Sequence, residues 1–388
     1  MAADRAGGRR GPDGRRAAGA DRLAPRRAPR RPDAGRRPAT RRLLGPHAAG
    51  GRGARRAGGP RRRRDPPRRA RRRAGAARLR DRDPRHDGPV RMSGVLLSLG
   101  HGYSARALAR PLLAEGWRVI GTTRSAEKAE ALRAEGVEPV LWPQGPAAGE
   151  LVAALEEADH VLVSAGPSPD GDPSLALLSA ALSARAGALR WIGYLSTTGV
   201  YGDHGGGWVD ETTTPVPATA RGRARVAAEA EWLALHARLG APVHVFRLAG
   251  IYGPGRSPFD KVRRRDAKRI VKPGQVFGRI HVEDIARVLR ASIDRPNPGA
   301  IYNVTDDEPA PPQDVIGYAA ELLGMAPPPE VPFEEAAETM SPMARSFYAD
   351  SKRVSNDRIR RELGVALTYP GYREGLRAVL AAEANGAG

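Results

Sequence analysis

The sequence predicts an α/β protein built on a doubly wound parallel sheet. Short apolar runs that suit buried strands alternate along the chain with segments of helical periodicity. The first run, residues 95–99, leads directly into the glycine-rich turn GHGYSA at 100–105, which opens an apolar helical segment. Gly116 ends that segment, and residues 117–121 predict a second strand. This strand–turn–helix–strand unit of about 30 residues has the size of a βαβ unit.

The glycine-rich turn carries a GxGxxA pattern formed by Gly100, Gly102 and Ala105. A residue without Cβ lets the backbone turn tightly and approach a pyrophosphate, whose charge the helix start then favours. The preceding strand and following helix strengthen this prediction, and the alternative is a plain βα turn. The pattern therefore predicts that these three residues, with Tyr103 and Ser104 between them, bind a nicotinamide dinucleotide.

The end of the second strand indicates which dinucleotide is bound. NAD-binding sheets usually carry Asp or Glu there, about 20 residues after the glycines, for the ribose 2′-hydroxyl. Here the strand runs into Thr122-Thr123-Arg124-Ser125, and Arg124 lies 22 residues after Gly102. An arginine can pair bidentately with a 2′-phosphate, so the sequence favours NADP over NAD. The alternative is that Arg124 is a solvated loop charge.

The remaining elements of the predicted sheet follow in order. Helices are predicted at 126–135, 149–157, 175–186 and 221–238, and strands at 137–142, within 159–167, at 189–196 and at 243–248. Ligands of doubly wound sheets lie at the carboxyl ends of strands. We therefore also predict cofactor contacts from two strand ends, Ser164-Ala165-Gly166 and Gly250-Ile251-Tyr252.

The last part of the chain is less regular. Residues 261–272 are basic and look mobile, residues 280–286 lead a helix, and residues 300–304 form a short strand. Further helices are predicted at 314–323 and 355–363. We predict a smaller C-terminal cap that packs at the carboxyl edge of the sheet and forms the substrate pocket.

The positive charge of the chain is confined to its first segment. The 388-residue chain has a net charge of +21, yet residues 1–91 contain 31 Arg and 8 Asp with no Lys or Glu. Such a segment, nearly free of branched and aromatic residues, cannot bury enough apolar surface to order itself. We expect residues 1–91 to be disordered, residues 92–255 to form the core, and residues 256–388 the cap, with 280–305 returning to the core.

Three hypotheses explain residues 1–91. The segment is a basic arm that binds nucleic acid, or a targeting peptide, or the product of a start codon assigned too far upstream of Met92. The last hypothesis is favoured, because Arg, Ala, Gly and Pro are encoded by GC-rich codons. Transit peptides are Ser-rich and amphipathic, which this segment is not.

Other features exclude several classes of protein. The chain has no Cys, which excludes disulfides and thiolate chemistry and fits a reducing compartment, so we expect a cytoplasmic protein. No apolar stretch approaches the length of a membrane span, and no signal peptide is visible. His281 and Asp284 suit the start and cap of a helix better than a metal site, and Asp210-Glu211 suits a solvated loop. We predict no metal site.

Several ordered blocks carry a family pattern. They are GHGYSA after the first strand, LSTTGVYG after the fifth, FRLAGIYGPGR after the sixth, then RIHVEDIA and IYNVTDDEP. With these blocks, residues 94–380 resemble the short-chain dehydrogenase/reductase superfamily, in its extended and atypical NAD(P)-dependent epimerase/dehydratase group. The resemblance implies a Rossmann domain with a smaller C-terminal substrate domain.

The resemblance also implies an altered catalytic site. The family uses a Tyr-x-x-x-Lys pair at the start of the helix after the GVYG loop, and counting back from Glu229 places Arg225 at the Lys position and Arg221 at the Tyr position. A guanidinium does not release its proton near neutral pH, so Arg221 cannot be a general acid or base. Thr197 matches the Ser/Thr position, Tyr201 is the nearest alternative hydroxyl, and Arg225 remains a fixed cation for ribose or phosphate.

These features give three functional hypotheses. The first is an NAD(P)-binding oxidoreductase or epimerase/dehydratase-like enzyme with an altered acid/base site, acting on a nucleotide-sugar or another carbonyl or hydroxyl compound. The second is a non-catalytic NADP-binding sensor or scaffold, and the third is nucleic-acid binding through the basic arm. A homodimer through the helix after the GVYG loop is what the resemblance implies, and no membrane association is expected.

Overall fold

A seven-stranded parallel sheet forms the centre of the protein. A computed structural model describes residues 93–142 and 148–386, so the predictions for residues 1–91 lie outside the described residues. The strands, in chain order, are β1 (Val95–Leu99), β2 (Arg118–Thr123), β3 (Glu138–Leu141), β4 (His160–Val163), β5 (Trp191–Thr197), β6 (Trp208–Val209), β7 (Val243–Leu248), β8 (Gly250–Tyr252), β9 (Arg269–Val271), β10 (Arg279–His281), β11 (Ile301–Val304), β12 (Glu330–Pro332) and β13 (Arg353–Val354). The central sheet has the order β11-β7-β5-β4-β1-β2-β3.

Helices connect and cover these strands. They are α1 (Tyr103–Ala114), α2 (Ala126–Ala134), α3 (Ala148–Glu157), α4 (Pro173–Arg185), α5 (Ala220–Leu239), α6 (Phe259–Arg263), α7 (Val282–Asp294), α8 (Pro312–Leu322), α9 (Phe333–Thr339), α10 (Pro342–Phe347), α11 (Asp357–Leu363) and α12 (Tyr372–Ala384). Among the described residues, no helix is both long enough and apolar enough to cross a lipid bilayer.

The two faces of the sheet bury separate hydrophobic cores. On β1, Leu96 packs into a core with α1 and α7, whereas Leu97 and Leu99 pack into a second core with α3, α4 and α5. Successive side chains of a strand point to opposite faces, so the two cores lie on opposite sides of the sheet. The predicted doubly wound α/β sheet is confirmed, because all seven strands pair in parallel and helices cover both faces.

The C-terminal part adds a third core and three short strand pairs. Its core includes Phe259, Val315, Tyr372 and Leu376, from α6, α8 and α12. The pairs are β8 with β10, β9 with β12, and β6 with β13, each of two or three residues. Within the basic segment 261–272, α6 ends and β9 forms.

Candidate functional site

The glycine-rich turn packs directly on the backbone that follows β4. Gly100 has a φ of +80°, and its amide donates a 2.6 Å hydrogen bond to the Thr122 hydroxyl at the end of β2. A Cβ at Gly100 would lie 2.7 Å from the Ala165 amide nitrogen, closer than real Cβ contacts allow. Both the backbone angle and the close approach therefore require glycine at this position.

The start of α1 offers free backbone donors at the same place. Gly102 is the N-cap, is exposed and provides no side-chain cap, and the first turn of α1 contains no acidic residue. Such a helix start presents backbone N–H groups and a positive dipole end to a ligand. This is the arrangement that a dinucleotide pyrophosphate requires, and the turn predicted to bind one therefore fits it.

The other residues of the turn fix α1 in place. Ser104 and Ala105 are buried beneath the turn, and the Tyr103 hydroxyl donates a 2.8 Å hydrogen bond to the Pro254 carbonyl. The Arg256 guanidinium lies over the Tyr103 ring, 5.8 Å from its centre. Tyr103 therefore connects the glycine-rich turn to the loop after β8.

Arg124 lies at the exposed end of β2. It comes directly after β2, and Ser125 caps α2 by accepting a hydrogen bond from the Lys128 amide. Arg124 is exposed, and in the part of the chain that the structure describes it makes no ion pair. Its guanidinium is thus free to meet a ligand at the rim of the sheet.

The segment after β4 forms the opposite wall of the cleft. The amides of Ser164 and Ala165 both donate to the Leu99 carbonyl, at 2.8 and 2.9 Å. A Cβ at Gly166 would lie 3.0 Å from Nη2 of Arg225. Gly166, at the end of β4, and Arg225 on α5 are therefore in contact. The sequence alone could not show this contact.

Arg225 is buried and held by β5. It is 8% exposed, and its Nη1 donates to the Leu195 carbonyl and, at 3.3 Å, to the Tyr194 hydroxyl. Arg221, one turn earlier on α5, is exposed. Guanidinium groups stay protonated at physiological pH. The two positions therefore hold two permanent cations, one fixed and one free to move.

Thr197 ends β5 beside this pair. Its Oγ1 accepts a 3.1 Å hydrogen bond from the Gly199 amide, and the side chain is partly buried. A hydroxyl that accepts one bond still has its own proton to donate. Thr197 can therefore donate a hydrogen bond to a substrate oxygen, as its position predicts.

Tyr201 lies in a buried polar network rather than at an open surface. Its side chain is fully buried, and its hydroxyl donates to Asn303 Oδ1 at 2.7 Å and accepts from Arg247 Nη1 at 2.9 Å. Burial raises the pKa of its hydroxyl above the ordinary value. With its proton and an acceptor site engaged, Tyr201 is poorly placed to exchange protons with a ligand.

The same network holds a buried ion pair that sequence reasoning missed. Arg247 on β7 pairs with Glu229 on α5 at 2.7 Å, and the Ser196 hydroxyl donates to the same carboxylate at 2.5 Å. The side chains of Arg247 and Glu229 are 4% and 5% exposed. A charged residue within the apolar run 243–248 is the signal that could have indicated this pair.

The segment after β7 forms a short strand outside the central sheet. Gly250, Ile251 and Tyr252 form β8, which pairs with β10, and the Tyr252 hydroxyl donates to the Gly371 carbonyl at 3.3 Å. Tyr252 also contacts α12 so closely that a Cβ at Gly375 would lie 1.9 Å from the tyrosine oxygen. Tyr252 therefore positions the cap.

A cavity of about 460 Å³ opens between β8, β10 and the cap. Four cationic residues line it, namely Arg256, Lys261, Lys268 and Arg279, with Asp266 as the acidic residue. Asp266 is paired with Arg264 at 3.2 Å, and no ion pair of the four cations is found among the described residues. Burial lowers the pKa of Arg279. Because Arg256 also contacts Tyr103, the cavity adjoins the glycine-rich turn.

Two side predictions have different outcomes. His281 caps α7 by accepting the Glu283 amide, so the helix-start interpretation is confirmed for His281. Asp284 instead accepts the Thr368 and Tyr369 amides, far along the chain. The solvated-loop interpretation is wrong for Glu211, which accepts the Asn303 amide at 2.8 Å and whose pKa burial raises. In the described ranges, no group of three or more potential ligands can hold a metal ion.

The fold and the cleft define a Rossmann-type dinucleotide-binding protein. Residues 97–305, more than half of the chain, match the NAD dependent epimerase/dehydratase family. The chain belongs to that family, as the resemblance of its sequence blocks predicted.

Three similar proteins are informative. Protein YeeZ of Escherichia coli (strain K12) is 32% identical over 285 residues, which cover 70% of this chain and 95% of YeeZ. The solved structure of a functionally unknown conserved protein from Silicibacter pomeroyi DSS is 58% identical, with a TM-score of 0.70, and the match covers 74% of this chain and 99% of that one. A 3-diazoavenalumate denitrifying reductase of a Streptomyces species is 30% identical over 138 residues, 34% of this chain and 45% of the reductase.

Proposed function

We propose that the protein is an NADP(H)-dependent oxidoreductase that acts on a small anionic substrate without a tyrosine acid. The observation that carries the proposal is the cleft at the carboxyl ends of β1, β2 and β4. There the backbone at Gly100 packs on Ala165, the start of α1 is uncapped, and Arg124 is free of ion pairs with described residues. A bound nicotinamide would supply or accept a hydride in this cleft.

Different residues of the cleft would bind different parts of the cofactor. Gly100, Gly102 and the first turn of α1 would hold the pyrophosphate, and Arg124 would pair with the 2′-phosphate. Arg225 would face the ribose or the phosphates, since its guanidinium reaches Gly166 at the end of β4. NADP is favoured because the described residues at the end of β2 include this cation and no carboxylate.

The substrate oxygen would be met by Thr197 and Arg221. Thr197 has a free proton to donate, and Arg221 is an exposed cation at the position that the family pattern assigns to tyrosine. Developing negative charge on the oxygen is stabilised by a donor and a cation placed beforehand. The proton itself would come from water, because neither side chain titrates near neutral pH.

The cavity beside the cleft supports an anionic substrate. Four cations surround about 460 Å³ of space, together with Tyr252 and Tyr348 and the aliphatic side chain of Leu376. Three of these cations are exposed, and the half-buried Arg279 guanidinium donates to the Phe277 and Ala310 carbonyls. The shared positive charge of the four residues favours an anion there. The Streptomyces reductase supports reduction as the reaction, although the match covers less than half of its length.

An enzyme assay tests the proposal. NADPH is mixed with a panel of carboxylate- and phosphate-bearing carbonyl compounds and with their uncharged esters, and oxidation of NADPH is followed by absorbance. We expect turnover with anionic compounds and little with the esters. Tight NADPH binding without turnover on any compound would contradict the oxidoreductase proposal.

Tight binding without turnover is the outcome that the second candidate, a non-catalytic NADP-binding sensor or scaffold, requires. The observation that favours it is the fixed position of Arg225, which is bound to the Leu195 carbonyl where catalysis normally uses lysine.

A further inference from the structure

The four cations of the cap cavity do not lie at the same depth. Arg256, Lys261 and Lys268 are exposed to solvent, whereas Arg279 is half-buried among the lining residues. The proposed function draws on the shared charge of the four residues. Arg279 alone belongs to the inner wall of the cavity, where a bound ligand would lose its water.

The Arg279 guanidinium is fixed through one of its nitrogens. Nη1 donates to the Phe277 carbonyl at 3.2 Å and to the Ala310 carbonyl at 3.0 Å, and these two residues form an antiparallel bridge with each other. Nε and Nη2 make no hydrogen bond with a described residue, and neither atom is fully enclosed. The Nε–Nη2 edge is therefore free, and its parallel N–H groups match the two oxygens of a carboxylate.

Three tyrosines of the cavity wall, Tyr252, Tyr348 and Tyr372, face this guanidinium. The Tyr252 hydroxyl donates to the Gly371 carbonyl at 3.3 Å. The hydroxyls of Tyr348 and Tyr372 have no hydrogen-bond partner among the described residues, and neither oxygen is fully enclosed. Two O–H donors therefore remain available near the arginine.

Asp306 lies against the backbone of Arg279 and leaves its guanidinium free. Asp306 is 2% exposed, and its Oδ1 accepts from the Arg279 amide at 3.4 Å. The two side chains form no ion pair in the part of the chain that the structure describes. Burial raises the pKa of Asp306 well above its ordinary value, which favours the neutral acid. The positive charge of Arg279 therefore remains available to a ligand.

The rest of the inner wall is largely aliphatic. Ile270 on β9, Val315 and Ile316 on α8, and Leu376 on α12 line it. The volume of about 460 Å³ falls in the range of small-molecule pockets, roughly 300–1,000 Å³. Hydroxyl groups buried against such a wall would lose hydrogen bonds, whereas an apolar group would gain from leaving water. The wall therefore fits an apolar body.

We propose that Arg279, Tyr348 and Tyr372 form a carboxylate site, and that the substrate is a carbonyl compound with one carboxylate on an aromatic or branched aliphatic body. The inference rests on the proposed function for the reaction and adds the class of substrate. Each carboxylate oxygen accepts one N–H of Arg279 and one tyrosine O–H. A phosphoryl group is less favoured, because its third oxygen would face the aliphatic wall.

Calorimetry tests the carboxylate site without requiring turnover. The full chain is titrated with phenylpropionate, its methyl ester, propionate and phenylethylphosphonate, with and without NADP, at constant ionic strength. We expect phenylpropionate to bind at least roughly tenfold more tightly than each of the others. Equal or tighter binding of the ester or phosphonate would overturn the carboxylate assignment, and equal or tighter binding of propionate would overturn the apolar body. No binding of phenylpropionate at millimolar concentration would refute the site.

Variants assign the binding to these side chains. Arg279→Gln, Tyr348→Phe and Tyr372→Phe should each weaken phenylpropionate binding roughly tenfold, since each removes a donor to a charged oxygen. Tyr318→Phe is the matched control and should bind as wild type does, because the Tyr318 hydroxyl accepts from Arg377 outside the cavity lining. The tyrosine variants remove one oxygen atom each, so they remain informative if Arg279→Gln fails to fold. Wild-type affinity in Arg279→Gln, or in both Tyr348→Phe and Tyr372→Phe, would refute the site.

The same variants distinguish failure of the carboxylate site from failure of the proposed function. Phenylpropionate binding that Arg279→Gln weakens, in a protein that oxidises NADPH with no carbonyl compound, would support the site and contradict the oxidoreductase. Turnover of carboxylate-bearing carbonyl compounds that is unchanged in Arg279→Gln would support the oxidoreductase and refute the site.

Discussion

At the scale of single residues, we propose that Arg221 and Arg225 occupy the positions of the pair that carries proton chemistry in the family pattern. Arg221 is exposed, and Arg225 is held by the Leu195 carbonyl. Because a guanidinium keeps its proton near neutral pH, neither residue can act as a general acid there. Thr197 remains as a donor, and Tyr201 is committed to Asn303 and Arg247. The account therefore assigns substrate activation to fixed charge and a hydroxyl.

This assignment predicts a flat pH profile. Between about pH 6 and 9, kcat for hydride transfer should change little, because no titrating acid is required. The double variant Arg221→Tyr with Arg225→Lys should acquire a pH-dependent limb. The measurement is kcat against pH for both proteins, and a bell-shaped profile in the wild type would mean that another side chain delivers the proton.

The buried Arg247–Glu229 pair makes a prediction about stability. Glu229→Gln would leave the Arg247 guanidinium buried without a counter-charge, which should lower the free energy of unfolding by about 3–5 kcal/mol. Glu231→Gln is the matched control, because Glu231 is exposed on the same helix. Denaturant unfolding compares the two, and equal stabilities would show that the pair contributes nothing.

At the scale of elements, the turn between β1 and α1 requires glycine at position 100 for two reasons, a positive φ and close packing on Ala165. Gly100 and Gly116 have φ of +80° and +83°, but no atom of another described residue would lie within 4 Å of a Cβ at Gly116. The two glycines therefore separate backbone strain from the contact with Ala165.

Alanine substitutions should reveal that separation. Gly116→Ala should cost about 1 kcal/mol of stability, from the positive φ alone. Gly100→Ala should cost about 1–3 kcal/mol more and should also weaken NADPH binding, because the turn must move away from Ala165. Unfolding and nucleotide titrations measure both effects, and similar results for the two variants would contradict the role of the close approach.

Sequence patterns predicted the helices and strands that residues close together in the chain determine. The run 95–99, the glycine-rich turn and the helix after it appear as β1, the turn and α1. The pairs β6–β13 and β9–β12 escaped prediction, because two- or three-residue strands exist only through partners far along the chain. The helix α12 was also missed.

The candidate site shows the same limit. Arg124 and the glycines were assigned to the candidate site because each follows a predicted strand, and Thr197 because it matches the Ser/Thr position of the family pattern. Glu211 was misjudged because its partner, the Asn303 amide, lies 92 residues away in the chain. The contact between Arg225 and Gly166 likewise depends on how α5 and β4 pack, which no local pattern contains.

At the scale of the whole molecule, charge is distributed unevenly along the chain. Residues 92–388 are close to neutral, since residues 1–91 hold all of the excess positive charge. Among the described residues, four cations line the cap cavity. A local group of cations on a near-neutral part of the chain favours anionic ligands at that cavity.

The most direct test of the account is the affinity for the two reduced nucleotides. Each charge-assisted hydrogen bond from Arg124 to a 2′-phosphate contributes about 1.5–3 kcal/mol, so wild type should bind NADPH more tightly than NADH. Arg124→Ala should weaken NADPH binding by roughly ten- to a hundredfold and change NADH binding little. Lys128→Ala, one turn into α2, is the control and should alter neither, whereas Arg124→Asp should reverse the preference. A wild type that prefers NADH, or equal losses for both nucleotides in Arg124→Ala, would contradict the account.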